Sequence, residues 1–140
     1  MINEYKFKDL FIGKKINFNF IVNEEKMMKF MEISEDINPL HSNKDFAINH
    51  GFNDRVVYGM LTASIISTVG GVYLPGKYCL IQEVTIKFNR PVYVNEVLTV
   101  EGIVEELIDE VQRATIKTIV RNTKNEIVMK AKLYVGFLEK

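Results

Sequence analysis

With 140 residues, 47% of them hydrophobic and 26% charged, the chain has the size and balance of one globular domain, residues 1–140, with its own core. Such a chain withdraws roughly 68% of its unfolded surface from water, so it needs neither disulfides nor a structural metal. Eighteen basic residues offset eighteen acidic ones without long runs of either sign, which argues against nucleic acid as a partner.

Cys79 is the only cysteine, so no internal disulfide is possible and a reducing compartment fits. Met1 to Lys8 lacks the long apolar run of a secretory signal, and no stretch approaches the roughly 20 apolar residues of a membrane span. The expectation is a cytoplasmic protein without a membrane partner.

The first 22 residues read as an extended arm in which Phe18, Phe20 and Val22 alternate with Asn17, Asn19 and Ile21. A helix follows over Glu24 to Ser34. Asn23 is its N-cap, Glu24 and Glu25 suit its positive end, and Met27, Phe30 and Met31 form an apolar stripe. Pro39 keeps Asn38 out of helical geometry. Residues 35 to 54, rich in Asn and Asp, are therefore expected to be irregular, and a loop of that length in a small domain is commonly functional.

A second helix is predicted from about Val56 to Val69. It is apolar nearly all round, the mark of a buried helix. Gly59, Ala63, Ser67 and Gly70 share one face, which would let a sheet wrap closely around it, and Gly70-Gly71 would end it. Strands make up the second half. Leu80, Val84, Ile86 and Phe88 alternate with Glu83, Thr85 and Lys87, and Leu98 to Val104 and Thr115 to Val120 continue the pattern. The last strand points Ile127, Met129, Ala131, Leu133, Val135 and Phe137 inward and Lys130 and Lys132 outward. Asn122 to Asn125 is a turn signal joining the final two strands as an antiparallel hairpin. The fold class expected is α+β, a long curved antiparallel sheet around one buried helix.

The most informative stretch is Asp36-Ile-Asn-Pro-Leu-His41, just ahead of Tyr58-Gly-Met-Leu-Thr-Ala-Ser64. It puts an acid and an imidazole five residues apart on a proline-stiffened segment before an apolar helix. Such a pair can activate one water molecule, and the chemistry it suggests is addition or removal of water.

These motifs, with Phe46-Ala47, Gly51-Phe52, Arg55-Val-Val and Lys87-Phe-Asn-Arg-Pro-Val-Tyr-Val94, resemble the MaoC-like dehydratases, which include the (R)-specific enoyl-CoA hydratases. The likeness covers nearly the whole chain in order. It implies a hot-dog fold, a homodimer or assembly of dimers joined edge to edge, and an acyl-CoA or acyl carrier protein thioester as substrate. It places the catalytic acid and histidine on Asp36 and His41, the serine after the Gly-Met motif on Ser64, and the carbonyl-binding N–H near Gly59. Backbone donors at a helix start suit the charge that develops on the thioester oxygen. Three positions depart from the family pattern. Tyr58 stands where His precedes Gly-Met, Asn43 replaces an acid two residues past the histidine, and Asn95-Glu96 replaces Gly-Asp.

Several residues admit two readings. Ser64 is either a small helix residue bonded to backbone or part of the substrate site. Tyr58 either packs or lines the pocket as a donor. Asn38 is either a turn residue or the group that fixes the Asp36 loop. Lys87 and Arg90 could meet coenzyme A phosphates or be exposed strand cations. His50 and the acidic pairs Glu105-Glu106 and Asp109-Glu110 read as solvated surface, and Cys79 as inert. Two distant histidines and one cysteine make no metal site, and no glycine motif implies a nucleotide cofactor. A hot-dog thioesterase is the competing enzyme, though residues 56 to 70 lack a carboxylate. A non-catalytic acyl-CoA-binding module is the third reading.

Overall fold

A computed structural model of the chain describes residues 1–138. Its five strands are β1 (Lys15–Ile21), β2 (Cys79–Phe88), β3 (Val97–Ile108), β4 (Arg113–Arg121) and β5 (Ile127–Phe137). They form one sheet in the order β1-β3-β4-β5-β2, with every neighbouring pair antiparallel. Helices α1 (Glu24–Ser34), α2 (Pro39–Ser42), α3 (Lys44–Asn49), α4 (Gly59–Ala63) and α5 (Ile65–Thr68) all lie between β1 and β2 in the chain.

Period-two alternation decides which face of the sheet is covered. Leu98, Val100 and Val104 of β3, Ile116 and Val120 of β4, and Met129, Leu133 and Val135 of β5 are fully buried. They form one cluster with Leu61, Ile65 and Val69 of the central helical segment. Each such aliphatic side chain contributes about 1.5–3 kcal/mol when taken from water, so this helix–sheet contact is the main source of stability. The expected β4–β5 hairpin is present. Asn122 Oδ1 accepts from Lys124 N and Glu126 N, each at 3.0 Å, and Asn125 takes the left-handed conformation with φ 61°.

Helix α1 has its predicted bounds and cap, with Asn23 Oδ1 accepting from Lys26 N at 2.9 Å. Residues 35 to 54 differ from expectation, because they contain two short helices. Asn38 caps α2 by accepting from Leu40 N, with Pro39 at the first helical position, and Asn43 caps α3 by accepting from Phe46 N. Asn38 and Asn43, two of the four Asn residues that made the segment look irregular, are the caps of those helices.

The second helix also begins later than predicted. Val56 bridges to Tyr93 and Val57 N donates to Val92 O, so this β-branched pair is extended. Helical geometry starts at Gly59, and a π-helical turn over Val69–Tyr73 carries the chain through Gly70 and Gly71 instead of stopping there. Gly70 fits the close-approach reading, since a Cβ there would sit 3.1 Å from Cys79 Sγ and 3.3 Å from Leu133 Cδ2. Ser67, on the same predicted stripe, is exposed. The helix is not wrapped on all sides, for Met60 is 62% exposed. Strand β2 is an open edge bonded to β5 alone. A bulge between Ile81 and Glu83 breaks its alternation, and Leu80, Ile81, Val84 and Phe88 all remain substantially exposed.

Candidate active site

Asp36 and His41 meet because helix α1 ends on a left-handed residue. Glu35, at φ 58°, closes the helix by donating its N–H to Met31 O at 2.8 Å and turns the chain out of the axis. Asp36 follows, and its Oδ1 accepts from Asn38 N at 3.0 Å. That Asx turn leads into the Asn38 cap and α2, which carries His41. Three polar contacts of Asn38 therefore define the geometry between the acid and the imidazole: its N–H donates to Asp36 Oδ1, its Oδ1 accepts from Leu40 N, and its carbonyl accepts from His41 N at 3.1 Å.

His41 Nδ1 lies 2.7 Å from Val56 O. A carbonyl oxygen only accepts, so Nδ1 carries the proton and the neutral ring presents its Nε2 lone pair on the other side. That Nε2 is 3.8 Å from Asp36 Oδ2, too far for a direct hydrogen bond. In the neutral ring both atoms are acceptors, and one water placed between them can donate to both. The His41 side chain is 12% exposed and that of Asp36 45%, so the carboxylate stays wet while the ring is held.

Tyr58 sits beneath this pair. Its ring stacks on His41 with centroids 4.1 Å apart and packs against Phe30 at 5.0 Å, while its hydroxyl donates to the Asp36 backbone carbonyl at 3.2 Å. Burial, aided by the Asp36 charge, pushes the phenol pKa up from its ordinary value, so at neutral pH it stays a protonated donor. Of the two sequence readings, packing accounts for the ring. The hydroxyl points at the Asp36 backbone.

His41 opens onto a cleft of about 370 Å³ that also exposes Gly59, Thr62, Phe88 and Arg90. Gly59 is the first residue of α4, where a helix N–H has no intrahelical acceptor. A Cβ there would approach Phe88 Cε1 to 3.3 Å, so glycine keeps the helix start close to β2. Arg90 reaches the cleft rim and pairs with Glu126 at 3.2 Å.

Ser64 and Lys87 lie elsewhere. Ser64 Oγ donates to Leu61 O at 2.6 Å and faces a separate apolar groove shared with Phe30, Met60, Val84 and Ile86. Lys87 lines another cleft with Lys117, Lys130 and Lys132. The structure thus groups Asp36, Asn38 and Tyr58 around His41, and His41 shares its cleft with Gly59 and Arg90. Two features of the site were not anticipated from sequence. The Val56 carbonyl sets the His41 tautomer, and as a backbone atom it leaves no trace in residue identity. Thr62 leaves one, as a hydroxyl within an apolar helical run.

The departures from the family pattern are structural groups here. Asn43 caps α3, Asn95 adopts φ 69°, and Glu96 Oε1 accepts from Tyr93 N at 3.1 Å. Among the described residues no three His, Cys, Asp or Glu side chains gather to hold a metal ion. Burial pushes the Cys79 thiol up to about 11.

A curved sheet over a central helix, with an imidazole lining one cleft and a carboxylate 3.8 Å from that imidazole, defines a hot-dog protein. Residues 9–127 match the family described as MaoC like domain, and the chain belongs to that family. It is 32% identical over 112 residues to an (R)-specific enoyl-CoA hydratase of Rhodospirillum rubrum, covering 80% of this chain and 78% of that protein. It is 34% identical over 108 residues to a 3-hydroxybutyryl-CoA dehydratase of Methylorubrum extorquens, covering 77% and 69%. The unliganded R-hydratase of Pseudomonas aeruginosa superposes with a TM-score of 0.90 at 27% identity, covering 99% of this chain and 89% of that one.

Proposed function

We propose that the chain is an (R)-specific enoyl-CoA hydratase, equally a 3-hydroxyacyl-CoA dehydratase in the reverse direction, acting through Asp36 and His41. The observation that carries this reading is the 3.8 Å gap between Asp36 Oδ2 and His41 Nε2 beside a mostly apolar cleft large enough for an acyl group. A water in that gap gives up a proton to the pair as its oxygen bonds to Cβ. The C=C electrons move toward the thioester carbonyl, and the resulting enolate takes a proton back at Cα from the same side. The charge gathered on the carbonyl oxygen is met by the Gly59 N–H. Each acid–base contribution of this kind is typically worth on the order of 10²–10⁴ in rate.

The hydratases and dehydratases above support the reaction type and the acyl-CoA substrate. Arg90, at the cleft rim, is the better placed of the two candidate cations to meet a coenzyme A phosphate. A thioesterase finds no carboxylate on the central helix, residues 59–73. Against a non-catalytic binding module, Tyr58 lies beneath the pair and braces it. The open β2 edge and its exposed apolar side chains support a homodimer in which two sheets pair through this strand.

The test is incubation with crotonyl-CoA, following loss of the enoyl-thioester absorbance and the configuration of the product. Formation of the (R)-3-hydroxy thioester supports the assignment. Release of free thiol without hydration would transfer the chain to the thioesterases.

A further inference from the structure

Thr62 lies in the same cleft as His41 and Gly59. It is 2% exposed, and its Oγ1 is buried with no hydrogen-bond partner. A threonine inside a helix ordinarily satisfies its hydroxyl on the carbonyl four residues earlier. Here that carbonyl, Tyr58 O, already accepts two backbone N–H groups, from Leu61 at 3.0 Å and Thr62 at 3.1 Å, which occupies both its lone pairs and leaves the hydroxyl without a partner. Buried hydroxyls without partners are uncommon, because the desolvation of the group goes uncompensated.

The surroundings narrow what the hydroxyl serves. Val57, Phe88, Val92 and Val128 make most of the cleft wall apolar, and its other polar side chains are His41, Asn89 and Arg90. An acyl thioester undergoing hydration offers two oxygens, the attacking water and the carbonyl. Asp36 and His41 already take the water. Cα–Cβ bonds on a helix tilt toward its N-terminus, so the Thr62 side chain leans toward the turn that begins at Gly59.

We propose that the Thr62 hydroxyl is a substrate-contacting hydrogen-bond donor that binds the thioester carbonyl oxygen and stabilises the enolate. This deepens the hydratase reading and rests on it. The hydroxyl is enclosed and unpaired in the single chain; a turn about χ1 presents it to the cleft that Thr62 lines, where it gains a partner in that oxygen, and the bond strengthens as charge accumulates there.

The discriminating variant is Thr62→Val, which keeps the shape and removes the donor. Thr118 supplies a control, since it is also buried with an unpartnered Oγ1 but sits in β4 and does not line the cleft. Thr62→Val should lower kcat on crotonyl-CoA on the order of 10²-fold, as expected for loss of one donor to a developing oxyanion, while KM changes less than about 3-fold. Its Tm should match or exceed that of the wild type, because an uncompensated polar group has been removed. Thr62→Ser should recover most of the lost kcat. Thr118→Val should share the Tm behaviour with wild-type kinetics.

An active wild type alongside a Thr62→Val protein of equal kcat would overturn the proposal and leave the hydratase reading intact. A loss that Thr62→Ser does not restore, or that comes with a lower Tm, would assign Thr62 a packing role and overturn it as well. Absence of hydration by the wild type would overturn both readings together.

Discussion

Replacing Tyr58 by Phe separates the brace from the chemistry. The ring stays, so its contacts with His41 and Phe30 are kept and no cavity opens. Only the 3.2 Å hydrogen bond to the Asp36 carbonyl is lost. A hydrogen bond of this kind contributes about 1 kcal/mol net, and because Asp36 is exposed, water can replace the donor on that side. For a chain of this length the Tm should fall by only about 2–5 °C. The catalytic effect should be larger than the stability effect. Asp36 would keep its Asn38 N–H contact but lose the tie that holds its backbone against the His41 ring. A misplacement of 1 Å can cost about 100-fold, and a partial loosening should cost about 10-fold in kcat with KM nearly unchanged. The assay is steady-state hydration of crotonyl-CoA beside a thermal melt. Wild-type kcat in Tyr58→Phe would refute the bracing argument. A loss as deep as that of Asp36→Asn would place the phenol in the chemistry itself.

Three further outcomes follow from other parts of the fold. Purified protein should sediment at about twice its 16.2 kDa chain mass, and Ile81→Glu, on the exposed β2 edge, should shift it to monomer because a charge at a paired apolar strand is not solvated; an unchanged mass would point to another interface. Cys79, raised from 9.0 to about 11 by burial, should react with alkylating reagents at pH 8 about 100-fold more slowly than an ordinary thiol, in line with its lower thiolate fraction. The same shift makes the folded chain hold a proton that the unfolded chain has released between pH 9 and 11. Stability should therefore fall as pH rises through that window and be unaffected by this group below it. Cys79→Ala should flatten that part of the Tm profile, and a profile identical to wild type would contradict the assignment.

The parts of this molecule legible in its sequence are those governed by periodicity and capping. Over most of their length strands β3, β4 and β5 alternate because one face is dry, and α1 announces its start through Asn23 and its acidic first turn. Edge strand β2 was harder. Its bulge changes which residues face inward, and its apolar side chains are exposed in the single chain, so alternation there does not report burial. Residues 35 to 54 misled because Asn serves turns and helix N-caps alike, and only the backbone donors of the next turn decide between them. At the site, the Asp36–His41 spacing and the stiffening role of Pro39 were readable. The tautomer of His41 was not, since the Val56 carbonyl that sets it comes from a segment 15 residues away. Ser64 drew attention by its place after Gly-Met, yet its hydroxyl turns back to Leu61 O. Thr62, two residues earlier, is the hydroxyl-bearing residue of the helix that lines the cleft with His41.

The central claim is that Asp36 and His41 together activate one water. Its most direct test is the turnover of Asp36→Asn and His41→Gln on crotonyl-CoA, each paired with a thermal melt. Asp36→Asn preserves the shape of the side chain, while the His41→Gln amide falls near the Nε2 position, so that variant loses the basic nitrogen and one hydrogen bond to Val56 O. The account predicts melts within a few degrees of wild type and a kcat reduced on the order of 10³-fold in each variant. The double variant should be little worse than either single one, as expected of groups that act as a unit. Substantial turnover in either single variant, in a folded protein, would contradict it.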